Sequence, residues 1–245
     1  MASREKKQER DVLNKKWDQL AQRIDDAKAE ANEAEVTRAL QAQEKLLKRY
    51  EDESEQKRGM VDIATEYEAA GDRFFDRGLL RSASLRYSKA RAKMGPADLE
   101  KVCELTESIL QSEYEALKAA KSIHEHSGDP FVKEYATMNR FLKSELGRKV
   151  PDTKQTLRCR LKVLETVVMA LEMIVTRTKP KTPVSQELRG QLVFYGNAMY
   201  KAYNDLLHRL SSKHVSSPDA TLLRELQPLV THIAVDILKL KKQGK

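Results

Sequence analysis

The N-terminal segment of this chain constrains the fold most strongly, because it contains neither Gly nor Pro from residue 3 to about residue 57. It therefore lacks the residues that most often interrupt an α-helix. Its apolar residues alternate at spacings of three and four, the period of a coiled-coil seam. The seam comprises Leu13, Trp17, Leu20 and Ile24. We predict one long coiled-coil-type helix over residues 1–57 that pairs with another helix, of this chain or of a partner.

The composition favours helix along the whole chain. Charged side chains make up 33 % of the 245 residues, aromatic side chains make up 6 %, and Gly occurs only 9 times. No run alternates polar and apolar residues as a half-buried strand would. The sequence therefore predicts an all-α fold. We divide it into a helical segment at residues 1–58, a helical hairpin with a third helix at 59–127, and a basic helical bundle at 128–245.

We expect neither a secretory signal nor a membrane span in this sequence. Its first residues lack an apolar core, and the apolar stretch at 163–175 is short and interrupted by Glu165 and Glu172. We expect a cytoplasmic or cytoskeletal location. Two cysteines are too few for a disulfide framework, so we expect Cys103 and Cys159 to be reduced, buried thiols.

Residues 64–97 carry small, aromatic and glycine residues at the spacing of two closely packed helices. Gly71 and Ala83 would let the helices approach, and Gly78 would permit the reversal between them. The full set is Tyr67, Gly71, Phe74, Gly78, Ala83, Tyr87 and Ala90. The pattern resembles a single tetratricopeptide repeat, and it is also similar to the three-helix microtubule-interacting-and-transport domain. Both resemblances imply a helical module that binds proteins, and a lone repeat needs neighbouring helices to cover its apolar face.

The sequence offers little support for catalysis. His124 and His126 lie two residues apart, on different sides of a helix end, so they cannot share a metal ion as residues four apart would. His208, His214 and His232 are isolated in the sequence. No glycine-rich phosphate loop is present. We therefore expect no enzyme activity, no metal site and no cofactor.

The residues after position 140 hold the excess positive charge, with 19 basic and 9 acidic side chains in a chain whose net charge is +8. Lys154, Arg158 and Lys162 recur every four residues, on one side of a predicted helix. The predicted basic face comprises Arg148, Lys149, Lys154, Arg158, Lys162, Arg177, Lys179 and Lys181. Such a face attracts an acidic protein surface. A nucleic acid is the alternative, although no aromatic residues are interleaved with these cations to stack on bases.

These features favour a non-catalytic structural or adaptor subunit that binds protein partners in a larger assembly, such as a cytoskeletal or ciliary structure. The alternative is a nucleic-acid-associated subunit of a ribonucleoprotein or chromatin complex. Thr182 and Ser217 each precede a proline. Each fits a proline-directed phosphorylation site or, as we favour, the N-cap of a helix that begins at the proline.

Overall fold

The computed structural model describes residues 2–94, 98–120, 129–142, 154–178, 183–210 and 218–243. Over these residues it contains α-helices and no strand, which confirms the all-α fold class. The chain divides into two compact units, Met1–Gly95 (unit 1) and Pro96–Lys245 (unit 2). Among the described helices, none combines the length and the apolar character needed to cross a bilayer.

Unit 1 consists of two consecutive helical hairpins. Its helices are α1 (Ala2–Ala29), α2 (Glu33–Leu47), α3 (Glu53–Asp76) and α4 (Leu80–Arg91). Each helix packs against the next one along the chain. Ion pairs from α1 to α3 join Arg10 to Glu55 and Lys28 to Glu66, so these two helices run in the same direction.

The prediction of one long helix over residues 1–57 is wrong, because the chain reverses at residues 30–32. Ala31 takes a left-handed conformation with φ of 54°. Its N–H donates to Lys28 O at 3.0 Å, and the N–H of Asn32 donates to Ala27 O at 2.8 Å. These two bonds form a Schellman motif, which ends α1. The Asn32 side chain then caps α2 by accepting from the Glu35 N–H at 3.1 Å.

The second hairpin closes with the same motif. Gly78 has φ of 71°, its N–H donates to Phe75 O at 2.8 Å, and the Leu79 N–H donates to Phe74 O at 2.9 Å. Both hairpins of unit 1 therefore reverse through a left-handed residue that follows a helix end. Here that residue is glycine, which adopts the conformation without steric cost.

The boundary predicted near residue 58 falls inside α3. That helix begins one residue after Asp52, whose carboxylate caps it by accepting from the Ser54 N–H at 2.8 Å. Gly59 lies in the second turn of α3, where its backbone approaches the side chains of Leu47 and Trp17. Gly59 thus serves helix packing and does not separate two segments. The boundary predicted at residue 127 lies outside the described residues.

Unit 2 is built around one largely buried helix. Its helices are α5 (Leu99–Ala119), α6 (Asp129–Leu142), α7 (Lys154–Arg177), α8 (Pro183–Leu210) and α9 (Pro218–Gln243). Helix α7 packs against α5, α6 and α8, and α9 packs against α8. The apolar α7 residues that are buried are Leu157, Cys159, Leu161, Val163, Leu164, Val167, Val168, Ala170, Leu171 and Ile174. Such broad burial is typical of a central bundle helix.

Helices α8 and α9 each begin at a proline, Pro183 and Pro218. The two residues predicted as caps or phosphorylation sites, Thr182 and Ser217, lie outside the described residues. Further along α8, Gly196 allows α9 to approach closely. A methyl group on Gly196 would lie 2.6 Å from Ile237 Cδ1 and 2.8 Å from Ile233 Cγ2.

The expectation of two reduced thiols is wrong, because Cys103 on α5 and Cys159 on α7 form a disulfide. Both are buried in the unit 2 core. They lie 56 residues apart in sequence, with a Cα–Cα distance of 5.7 Å. Only the packing of α5 on α7 brings the two sulfurs together, which is why the count of cysteines did not reveal the bond.

Candidate functional site

The four predicted seam residues occupy two different environments. Leu13 and Ile24 are buried, whereas Trp17 and Leu20 are partly buried. The helices that cover this seam, α2 and α3, belong to the same chain. Trp17 and Leu20 each line a different surface groove beside α1. The seam therefore packs within unit 1 and leaves two of its residues accessible.

Between α1 and α2 lies a groove with an apolar floor and cationic walls. Leu20, Ala42 and Leu46 contribute apolar surface. The polar lining consists of Lys16, Gln19, Arg23, Lys45 and Arg49, so no acidic residue is among the described lining residues. All four cations are exposed, and Arg23 also pairs with Glu35 on α2. We call this surface the basic groove.

A groove of opposite charge lies on the α3 side of α1. Asp25, Asp62 and Glu66 supply its charge, and Glu66 pairs with Lys28 at 2.6 Å. Trp17, Ala21, Ile24, Gln43 and Thr65 complete the described lining of this acidic groove. Helix α1 thus separates two surfaces of opposite charge.

The hairpin residues meet across α3 and α4, although not all of them as expected. Gly71 faces the ring of Tyr87, so the close approach involves glycine and an aromatic ring. Ala83 and Ala90 are fully buried. Phe74 is only partly buried, and its ring lies 5.5 Å below the Arg86 guanidinium, a cation–π contact. Phe74 therefore contacts α4 while part of its side chain stays exposed.

Tyr67 connects the two hairpins of unit 1. It is 1 % exposed, and its hydroxyl donates to Glu44 Oε1 on α2 at 3.1 Å. The other oxygen of Glu44 accepts from Lys93 Nζ at 2.6 Å, just beyond α4. Burial, followed by the charge of Glu44, raises the pKa of Tyr67 to about 12. This partly buried polar link joins α2 to the α3–α4 hairpin.

Tyr87 carries a second buried phenol, whose hydroxyl donates to Asp72 Oδ1 at 2.8 Å. Burial and this hydrogen bond raise the pKa of Tyr87. The ring is thereby held at both ends, by Gly71 at its edge and by Asp72 at its hydroxyl.

The predicted basic face is partly neutralised by acids of unit 2. Arg158 Nε lies 3.9 Å from Asp219 Oδ1, and Lys162 Nζ lies 3.5 Å from Glu165 Oε2. Glu107 on α5 is also near both cations, although burial dominates and raises its pKa. Among the three cations that recur every four residues on α7, Lys154 and Arg158 are exposed and Lys162 is partly buried.

Of the remaining members of the basic face, one makes a contact within unit 2 and four lie outside the described residues. Arg177 Nη1 donates to Leu117 O at 3.5 Å, at the end of α5. Arg148, Lys149, Lys179 and Lys181 lie outside the described residues. Of the described residues of the face, Arg158, Lys162 and Arg177 therefore have contacts within their own unit.

Sequence reasoning missed two arrangements. The basic groove escaped notice because Lys16 and Lys45 meet only when the chain reverses at Ala31. The interpretation of His232 as isolated is wrong, since its Nε2 lies 2.8 Å from Glu172 Oε1 on α7. Glu172 appears in the sequence only as an interruption of an apolar stretch.

No protein-family model and no curated protein matches this sequence. Among solved structures, the chain is similar to one from the computational design of self-assembling cyclic protein homooligomers, at 12 % identity and a TM-score of 0.47. The alignment covers 95 % of this chain and 93 % of the designed one. A likeness at this level carries no functional argument.

Proposed function

We propose that this chain is a non-catalytic adaptor that binds protein partners within a larger assembly, and that the basic groove of unit 1 receives an acidic amphipathic segment of a partner. The observation that carries the proposal is the lining of this groove: four exposed cations around Leu20 and Leu46, with no acid among the described lining residues. An amphipathic helix placed in a groove uses this combination of apolar contact and charge. An acidic amphipathic helix of a cytoskeletal protein is a partner of this kind.

Several features of unit 1 support a binding role for the groove. Its two walls are helices held by buried side chains such as Leu13 and Leu40, and the Tyr67–Glu44 link fixes α2 further. A groove with rigid walls loses little entropy on binding.

The structure favours the basic groove over the predicted basic face as the surface for an acidic partner. Arg158 and Lys162 of the face each lie near an acid of their own unit, so part of their field is already compensated. In the groove, Arg23 pairs with Glu35, while Lys16, Lys45 and Arg49 add to the charge around the apolar floor. A nucleic acid would be attracted by charge alone, since no aromatic residue is among the described lining residues of the groove.

Isothermal titration calorimetry with synthetic peptides tests this proposal. An amphipathic helical peptide of Glu and Leu should bind, and an uncharged counterpart of Gln and Leu should bind at least about tenfold more weakly because it lacks the charge attraction. Binding of the acidic peptide should weaken as salt rises, because exposed charges are screened over about 8 Å at physiological ionic strength.

Matched charge reversals locate the surface. Lys16→Glu with Lys45→Glu should weaken binding of the acidic peptide by about tenfold or more, because each reversal replaces an attraction of up to about 1 kcal/mol with a repulsion. The control, Lys154→Glu with Arg158→Glu, should leave binding unchanged. The groove assignment fails if the control variant loses binding and the groove variant keeps it. Tighter binding of an RNA or duplex DNA oligonucleotide than of the acidic peptide would instead support the nucleic-acid alternative.

A further inference from the structure

Three potential metal ligands from helices α7 and α9 converge in unit 2. His232 Nε2 lies 2.8 Å from Glu172 Oε1 and 3.3 Å from Asp236 Oδ2. One ligand atom from each of the three residues lies within 4.8 Å of the others. His232 and Asp236 are one turn apart on α9, and Glu172 comes from α7.

The geometry points to a site for a divalent transition-metal ion, with Zn²⁺ the best match, held by Glu172, His232 and Asp236. An imidazole nitrogen and two carboxylate oxygens are a donor set that Zn²⁺ accepts, with bonds of about 2.0–2.2 Å. In a tetrahedral site such bonds place donor atoms about 3.4 Å apart. The two distances from His232 Nε2, 2.8 and 3.3 Å, require only small side-chain rotations to reach that value.

The protein backbone already holds these ligands in place. Each ligand is followed or preceded in sequence by a buried core residue: Leu171 before Glu172, Ile233 after His232, and Ile237 after Asp236. Ile233 and Ile237 in turn pack against Gly196 of α8. The helical segments that carry the ligands are therefore fixed by the core, so binding an ion would order only side chains.

A neighbouring cation orients one of the carboxylates. Lys239 Nζ donates to Asp236 Oδ1 at 3.0 Å, which leaves Oδ2 as the oxygen nearer to His232. Outer hydrogen bonds of this kind fix the orientation of metal ligands. The His232 side chain is 58 % exposed, so an ion would enter from solvent and keep at least one water ligand. A bound ion would cross-link α7 to α9.

The test uses the full chain without a histidine tag, stripped with a chelator and dialysed. Adding ZnCl₂ should raise the melting temperature followed by circular dichroism, with one ion bound per chain by calorimetry. At free Zn²⁺ of about 100 times its dissociation constant, the folded-to-unfolded ratio should rise about 100-fold. Co²⁺ should give the visible absorption of a tetrahedral or five-coordinate site.

The variants make the assignment specific. His232→Ala and Glu172→Gln should each abolish the Zn²⁺-dependent rise and the Co²⁺ absorption, and both should keep the far-ultraviolet spectrum because neither residue is in the core. His208→Ala, which removes an exposed histidine of α8 outside the cluster, should respond like the wild type. The proposal is overturned if the wild type shows neither signal, or if either cluster variant responds as the wild type does.

Discussion

The ring of Tyr87 packs directly against the backbone of Gly71. A methyl group on Gly71 would lie 2.6 Å from Tyr87 Cε1 and 2.7 Å from Cδ1, closer than carbon atoms approach without displacement. The ring has little freedom to move, because its hydroxyl is hydrogen-bonded to Asp72 at 2.8 Å. The spacing of α3 and α4 in the second hairpin therefore depends on the absence of a side chain at residue 71.

Gly71→Ala should lower the free energy of unfolding by about 1–2 kcal/mol through overpacking, even though Ala favours helix. Urea denaturation followed by circular dichroism measures the change. Gly190→Ala is the matched control, because, beyond its chain neighbours and its own helix backbone, no heavy atom of the described residues lies within 4 Å of its added methyl group. That substitution should raise stability by up to about 1 kcal/mol. Equal changes in the free energy of unfolding for Gly71→Ala and Gly190→Ala would show that the Gly71–Tyr87 contact is not tight.

Substitutions at the left-handed residues of the two Schellman motifs should change the stability of the protein in opposite directions. Ala31 occupies a left-handed position that costs an alanine about 1–2 kcal/mol, so Ala31→Gly should stabilise the protein by about 0.5–1 kcal/mol after the entropy of the unfolded glycine is subtracted. Gly78→Ala should destabilise it by a similar amount, because a φ of 71° is unfavourable for alanine and the added methyl group would gain no contact with the described residues. Thermal melts of both variants test the pair, and a stabilising Gly78→Ala would contradict it.

Reduction of the Cys103–Cys159 disulfide should destabilise the protein. The bond closes a loop over a sequence separation of 56 residues, which corresponds to about 4 kcal/mol in the chain-entropy model. Urea denaturation with and without a reductant should show the loss, with mass spectrometry to establish the redox state. The Cys103→Ala, Cys159→Ala double variant should be insensitive to reductant. An unchanged midpoint for the fully reduced wild type would refute the prediction.

We expect the Glu107 carboxyl to make the stability of the protein depend on pH. Burial raises the pKa of its carboxyl above 4.5 in the folded state, against the opposing influence of Lys162 and Arg158. The folded state thus binds the proton more tightly than the unfolded state. The stabilisation is present below the unfolded pKa and is lost as pH rises through the folded pKa.

At neutral pH the charged form of Glu107 is therefore a net cost, and Glu107→Gln should raise the melting temperature there. The difference between variant and wild type should shrink as pH falls towards the unfolded pKa, where the wild-type carboxyl becomes protonated. Melting curves of the variant and the wild type across this pH range measure the difference in melting temperature. Lower stability of the variant at pH 7 would mean that the attraction to Lys162 and Arg158 outweighs the burial.

The composition was sufficient to predict an all-α fold, because helix propensity sums over the whole chain. The break at Ala31 was not predicted, since an alanine in a left-handed conformation leaves no sequence signal of its own. Its neighbours did carry one: Asn32 followed by Glu35 is the pattern of a helix start. The spacing of the apolar residues also changes at Val36. The cap residues therefore carried the sequence signal of the first hairpin.

The candidate sites could not be predicted in the same way, because they depend on contacts between distant residues. Lys16 and Lys45 line one groove only because two helices pack after a reversal. Glu172 and His232 are 60 residues apart, and Cys103 and Cys159 are 56 apart. Local periodicity assigns each residue to a helix face, but it does not determine which faces meet.

Trp17 is the single tryptophan of the chain, and it lies in unit 1 at the acidic groove, close to Gly59. Its emission is therefore a built-in optical reporter of unit 1 alone, whereas the amide signal at far-ultraviolet wavelengths sums over both units. Recording both during one denaturation would separate the loss of unit 1 from that of the whole chain. The gap between the two midpoints would then measure how independently the two halves of this protein unfold.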